Sequence, residues 1–426
     1  MKKKLVTILA LGTICASMLS VTCGAEERKL TINWLSSRSA SEAPIMAIQD
    51  IAEQYREENP DLDFTFEIEN ISDRTAYLQK LKILAASDEL PEWYDSDPDT
   101  WFADIVKDGK AYSIDDLYSE LGMDDRIFTI SKEYARLADG SLNLMTLQCN
   151  TEYFFYNKEM FEAAGITEVP TTFDELLETC QKLQDSGVIP ITMGGDWPIL
   201  RYFAQVPFRM DANNYIEKAV TGEGSFGTEA GIAGAEFMQN IAQYFQTGWS
   251  SADYDTMNDL FASGQAAIMY NGTWALSQAD MIGEDGNIKD SIGCFTMPVC
   301  SESDVTKPTD FFANSGIGTA VRTDAMDNEM KAWIKYMLEH YAEASLAYDN
   351  LPSVMPDEET MNNLPQIYQQ IIADVSNVEV YSKCWDVVIN SSLVESLEKE
   401  TVMLALGQET PEEWAANMDE HVKNQL

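Results

Sequence analysis

At 426 residues the chain is longer than one hydrophobic core usually serves, so two or three folding units are expected. Its 45% hydrophobic and 23% charged residues are those of an ordinary soluble globular protein. The 71 acidic residues against 28 Lys and Arg give a net charge of -43, which repels phosphate backbones and anionic lipid and excludes nucleic acid as a partner.

Lys2, Lys3 and Lys4 precede the apolar run LVTILALGTICASML (residues 5–19) and the small-residue exit SVTCGAEER. A positive start, a short apolar stretch and such an exit describe a secretory signal over residues 1–25, too short to span a membrane stably. Cys23-Gly24 matches a bacterial lipoprotein processing site, although Ser20 and Thr22 depart from the usual pattern; Cys23 is the expected lipidation site. The rival reading is cleavage after Ala25 and free release. No later stretch approaches 18 apolar residues, so the expected membrane association is through the lipid anchor alone.

KLTINWLSS (residues 29–37) predicts a buried strand feeding a polar loop. A helix follows, with Ile45, Ile48, Ile51, Ala52 and Tyr55 at helical spacing and Pro60 beyond its end. DFTFEIENIS alternates as a second strand, RTAYLQKLKILAASDE predicts a second helix, and a third strand ends in WYDSD. Strand, helix, strand in this order indicates an α/β layer with a mainly parallel sheet. The pattern restarts near residue 150 with the strand EYFFYN and a short helix stopped by Gly165. In VPTTFDELLETCQKLQDSGVIPITMGG, Thr172 and Glu175 form a capping box, and Phe173, Leu176, Leu177 and Cys180 line one helix face. Gly187 suits a left-handed stop before the strand VIPITM. FASGQAAIMYNGTWAL reads as a helix end, an apolar strand, a break at Asn271-Gly272 and then Trp274 on a loop. ETPEEW, with Thr410 as cap and Glu413 as its box partner, opens a last helix. With no repeat and no long linker, the two units are expected to pack closely and exchange strands.

Five of the seven cysteines lie beyond the signal, none in a Cys-x-x-Cys pair, and the chain has only His340 and His421, so no zinc site is expected. Cys294 and Cys300 are close enough in sequence to pair across a short loop, against the alternative of isolated buried thiols. Asp95-x-Asp97-x-Asp99 looks like the start of a calcium loop, but Thr100 and Val106 stand where Gly and Glu are required. Neither a metal nor a cofactor is therefore expected. Nucleophile elbow, zinc-protease, P-loop and dinucleotide fingerprints are all missing, and nothing local selects a catalytic carboxylate pair, so no catalytic residue is assigned.

Ligands on α/β sheets sit beyond the carboxyl ends of strands, and several aromatic and amide residues fall on such exits. Trp34 precedes Ser36, Ser37 and Arg38; Trp197 follows Gly194-Gly195; Trp274 follows Asn271-Gly272; Asn314 precedes Ser315-Gly316; and Trp385 sits in VYSKCWDVV. Each tryptophan alone reads more readily as core or domain-packing material. Together they suit a sugar, whose C–H face stacks on indole and whose hydroxyls pair with Asp, Asn and Arg.

The residues 154–195, FFYNKEMFEAAGITEVPTTFDELLETCQKLQDSGVIPITMGG, with FASGQAAIMYNGTWAL, NSGIGTAVRTDAMDNEMKAWIKYM, PSVMP and LALGQETPEEWAANMDEHV, resemble in kind and order the bacterial extracellular solute-binding proteins of ABC importers. The resemblance is to the sugar-binding family 1 that includes maltose-binding protein, and it covers nearly the whole chain beyond the signal. It implies an α/β, two-lobed periplasmic-binding-protein-like fold with hinge strands and an interlobe ligand cleft. The lobes implied are 27–148 plus 312–360, and 150–310 plus 361–426. It implies stacking roles for Trp274, Trp385 and Trp197, a hinge-side polar role for Asn150, and hydroxyl contacts from Asp97 and Ser37; Asn314 joins them from its place at a strand exit. The implied function is carriage of a mono- or oligosaccharide to ABC permease subunits in the membrane, by a monomer at the extracellular face of the bacterial cell membrane and not by an enzyme. A secreted carbohydrate hydrolase, a binder of another solute such as a polyamine, and a secreted or periplasmic location are the alternatives.

Overall fold

The computed structural model describes residues 28–278, 281–284 and 288–425. The expected signal, residues 1–25, and Cys23 lie outside the described residues. Two sheets organise the chain. The first has the order β2-β1-β3-β9, built from β1 (Lys29–Ser36), β2 (Asp63–Asn70), β3 (Trp93–Ser96) and β9 (Gly318–Val321). β1 runs parallel to β2 and β3, and β9 closes the edge antiparallel to β3. The second has the order β10-β8-β4-β6-β5, from β4 (Asn150–Asn157), β5 (Ile189–Thr192), β6 (Ala266–Gly272), β8 (Phe311–Asn314) and β10 (Tyr381–Lys383), with β7 (Ile292–Phe295) also paired to β4.

Local rules account for the elements. Ile45, Ile48, Ile51, Ala52 and Tyr55 are all buried along the first helix, Ala43–Glu58, as their spacing predicts. Both capping boxes form. The Glu175 amide donates to Thr172 Oγ1 at 3.2 Å, and the Thr410 amide donates to Glu413 Oε2 at 2.9 Å. Gly187 takes φ +84°, the left-handed stop its position requires.

The first sheet carries one apolar core, which runs from Leu30 to Leu147 and resumes from Ala320 to Val354. The second sheet is covered on both faces, and strand alternation sorts its residues. Phe154, Tyr270 and Phe312 enter one core, while Tyr153, Phe155, Met269 and Phe311 enter the other.

The chain passes between sheets near residues 146–149, since Met145 bridges Thr319 of the first sheet while Asn150 pairs Asn314 of the second. It returns in the span 315–317, between β8 and β9. This places the return a few residues beyond the implied boundary at 312. The apolar run Phe311–Asn314 completes the second sheet between β4 and β10 before the chain leaves.

Strand direction then fixes where a site can lie. β5, β6, β8 and β10 all end at one edge of the second sheet, where antiparallel β4 begins. β1, β2 and β3 end at the edge of the first sheet where β9 begins, with Ser96 paired to Gly318. The span 315–317 ties those two edges together.

Candidate ligand-binding site

Along its edge the second sheet presents, in strand order, Lys383 on β10, Asn314 on β8, Asn150 on β4, Trp274 just beyond β6 and Trp197 beyond β5. Four strand spacings of about 4.8 Å make this row roughly 19 Å long.

Trp197 reaches its position through Gly194-Gly195. A Cβ on Gly195 would stand 2.4 Å from the Ser250 carbonyl oxygen, so the turn tolerates only glycine there. The indole then sits at the start of the helix Pro198–Asp211, half-buried, 5.1 Å from the Tyr254 ring. Trp274 is also half-buried, and its Nε1–H donates to the Tyr254 hydroxyl at 3.1 Å. Tyr254 therefore joins the two indoles. Asn271 Nδ2 adds a hydrogen bond to the same hydroxyl at 3.2 Å and donates to Asn258 Oδ1 at 2.9 Å.

Beneath the indoles lies a buried charge cluster. Arg201 is 4% exposed, with its guanidinium carbon 4.5 Å from the Trp197 ring centre and 6.0 Å from that of Trp274. Its fork engages Asp386 at 2.7 and 2.9 Å, and Nη1 pairs with Glu152 on β4. Three elements are thus tied at one point. Carboxylates outnumber the cation here. Burial raises Asp196 above the usual carboxylate range, helped by Asp253, and burial raises Glu398, helped by Asp196 and Asp386.

Asn150 is 5% exposed, and its Oδ1 accepts from Thr273 Oγ1 at 2.8 Å, which holds the loop that carries Trp274. Asn314, half-buried, pairs with Asn150 in register and accepts from the Tyr134 hydroxyl at 3.4 Å. On the first sheet, the Ser37 amide donates to Asp95 Oδ2 at 2.9 Å, and the Asp97 side chain, 44% exposed, pairs with Arg74. The Asp95–Asp97–Asp99 triplet thus divides its work. Asp99 caps the helix Thr100–Lys107 through the Phe102 amide at 2.8 Å, Asp97 faces Arg74, and Asp95 is a wholly buried anchor. Asp95 accepts from Trp34 Nε1 at 3.0 Å, Ser36 Oγ at 2.7 Å and Thr319 Oγ1 at 2.8 Å, and pairs with Arg38 at 2.8 Å.

Trp385 departs from its expected place. At 1% exposure it packs against Phe203 and Tyr215, each at 5.8 Å, inside the second lobe's core. A short helix, Trp385–Val388, begins at this residue and turns the indole inward while Asp386 reaches Arg201. Four residues of the site escaped sequence reading: Tyr254, Arg201, Glu152 and Asp386. A charged residue within an apolar run, Arg201 in PILRYFAQ and Glu152 in NTEYFF, is the signal that could have found two of them, because buried charges occur paired. The five cysteines among the described residues are unbridged, Cys294 buried and Cys300 exposed.

A sequence profile described as "bacterial extracellular solute-binding protein" matches residues 39–343. The chain belongs to that family. This solute-binding protein is 24% identical over 245 residues to the maltotriose-binding protein of Pyrococcus abyssi, a stretch of 57% of this chain and 49% of that relative. It is 21% identical over 174 residues to a probable sugar-binding periplasmic protein of Rhizobium meliloti, covering 40% and 42%. The matched stretches thus span about half or less of these relatives. Among solved structures, the solute-binding protein superposes on a probable secreted solute-binding lipoprotein from Streptomyces coelicolor with TM-score 0.76 at 14% identity, covering 94% and 99% of the two chains. It superposes on a chitin oligosaccharide binding protein with TM-score 0.68 at 22% identity, covering 94% and 99%. At these identities the likeness establishes the two-lobed α/β fold. Among the described residues no helix is long and apolar enough to cross a membrane.

Proposed function

We propose that this chain is the extracellular substrate-binding component of an ABC importer, and that a mono- or oligosaccharide lies along the row from Lys383 to Trp197, stacked on Trp197 and Trp274. The carrying observation is the pairing of those half-buried indoles through Tyr254, above a fixed Arg201, at the edge where four strands end. The named ligands of the relatives, maltotriose and chitin oligosaccharide among them, support the class of ligand. Asn150, Asn314, Ser37 and Asp97 supply hydroxyl contacts from both sheets.

The sugar bridges the two edges and selects a closed arrangement in which the first sheet's loops swing over the row. A ligand shifts such an equilibrium only by its differential affinity for the closed state. The crossings near residues 146–149 and 315–317 are the hinge. Binding near micromolar corresponds to about -8 kcal/mol. Two stacked rings at about 0.5 to 1.5 kcal/mol each beyond area burial, with several hydrogen bonds, are of the right size. The protein acts as a monomer, anchored through Cys23 at the outer face of the cell membrane, and hands the unaltered sugar to the permease.

Calorimetry over maltotriose, raffinose and chitin oligosaccharides tests the reading, with chromatography of the recovered sugar. Micromolar binding of an intact sugar, weakened about tenfold or more in Trp274→Ala, is expected. Shortened sugar, or affinity indifferent to that substitution, would refute it.

A further inference from the structure

The far end of the row differs from the indole end in kind. A cavity of about 500 Å³ opens between the helix Asn214–Thr221 and β10, lined by Ile216, Val220 and Ile389 on its apolar side and by Asn213, Tyr381 and Lys383 on its polar side. Trp197, Trp274 and Arg201 are not part of its lining. From β6 to β10 is three strand spacings, so this pocket begins roughly 14 Å along the edge from Trp274.

Lys383 is the unusual member. It is half-buried, at the end of β10, with its ammonium 4.6 Å over the Tyr134 ring. Among the described residues no carboxylate lies within ion-pairing distance of it, although the chain carries 71 acids. Burial alone pulls this amine below the ordinary lysine value, with no carboxylate pulling it back up. Lys383 lines the cavity while its ammonium rests on an aromatic face, and a partly desolvated cation with no carboxylate beside it favours an anion. The lysine presents a point charge, which takes a carboxylate or a phosphate equally. Beside it, Tyr381 and the three aliphatic side chains offer the surface that a sugar's C–H face requires, and Asn213 and Ser382 offer hydroxyl partners. Among the described residues Glu217 is the one carboxylate in the lining; it is exposed to water, where screening weakens its repulsion of an anion.

We infer that the cavity at Lys383 is a subsite for an anionic sugar residue, a hexuronate or a sugar phosphate, placed at the end of the ligand opposite the indoles. This rests on the carbohydrate reading for the body of the ligand, but it depends on a different set of side chains. It makes the natural substrate an acidic oligosaccharide whose neutral part stacks on Trp197 and Trp274.

Saturation-transfer NMR on the full protein beyond its signal, with millimolar glucuronate, glucose 6-phosphate and glucose as probes, tests the subsite. Transfer to one or both anionic probes exceeding that to glucose is expected, the stronger of the two identifying the group. Lys383→Gln should weaken the anionic probe about tenfold, Lys383→Arg should retain it, and Glu217→Gln should strengthen it. Equal transfer to glucose, no transfer to either anion, or an anionic signal that survives Lys383→Gln overturns the inference. A failure of the stacking reading shows separately, as neutral oligosaccharide binding that survives Trp274→Ala.

Discussion

The Trp274 indole folds directly across Gly272, two residues before it. A Cβ on that glycine would stand 2.1 Å from a ring carbon, far inside any real contact. Gly272 has φ -81°, which any residue adopts, so the glycine is required for space and not for backbone conformation. The Asn-Gly-x-Trp segment is therefore one device, in which Asn271 holds Tyr254, Gly272 makes room, and Trp274 lies against both.

Gly272→Ala should act as a displaced-tryptophan mutant. The ring must leave its seat and lose its hydrogen bond to Tyr254, so sugar affinity should fall about tenfold, close to the effect of Trp274→Ala. Trp fluorescence should shift in the free protein. Calorimetry with unchanged affinity would show that the seat does not matter.

Arg201→Met should damage the fold as well as the site. Glu152, 1% exposed, would lose its counter-charge, and removing one partner of such a pair typically costs about 3 to 5 kcal/mol. Urea unfolding measures it. Pairing Arg201→Met with Glu152→Gln should recover part of the loss, because the orphaned charge then disappears.

Trp385→Ala separates core from site. A fully buried indole replaced by alanine costs about 3 to 5 kcal/mol, while the ligand row is left intact. A lowered melting temperature with sugar affinity unchanged within about twofold is the expected pair of results. A specific loss of affinity in the folded variant would return Trp385 to the site.

Glu409 gives a pH dependence of stability. Burial, with the neighbouring Glu400 carboxylate adding to it, raises its pKa to about 7, while Asn417 Nδ2 bridges the two side chains at 3.0 and 3.3 Å. The unfolded value is about 4.3, so between these limits the folded state holds the extra proton. That contribution is full below about pH 4.3 and is lost as pH rises through about 7. Glu409→Gln should melt higher than the parent at pH 8, and the difference should vanish only below about pH 4.3, by calorimetric scans.

Much of the fold was legible because local signals and tertiary outcome agree. The spacing of Ile45 to Tyr55, the boxes at Thr172 and Thr410 and the turn at Gly187 act within a few residues, and each formed as written. The crossing at 315–317 has no local signal, because whether Phe311–Asn314 joins one sheet or the other depends on which edge is vacant.

The site was legible in part. Trp197 and Trp274 each follow a strand end in the sequence, and the second sheet's strand directions bring both to one edge with Asn150 and Asn314. Trp385 read the same way in sequence, yet the helix that starts at it turns the ring into the core.

What the sequence alone determined was the kind of chain: an acidic, two-unit α/β protein with the segment order of the solute-binding family, since composition and short-range periodicity are properties of the string. What only the tertiary structure decided was which side chains meet. Arg201 reaches Glu152 and Asp386 across 49 and 185 positions, Asp95 reaches Thr319 across 224, and Lys383 is left without an acid partner among the described residues of a chain crowded with acids. Such contacts follow from how strands order themselves in a sheet, and no local stretch of residues encodes that order.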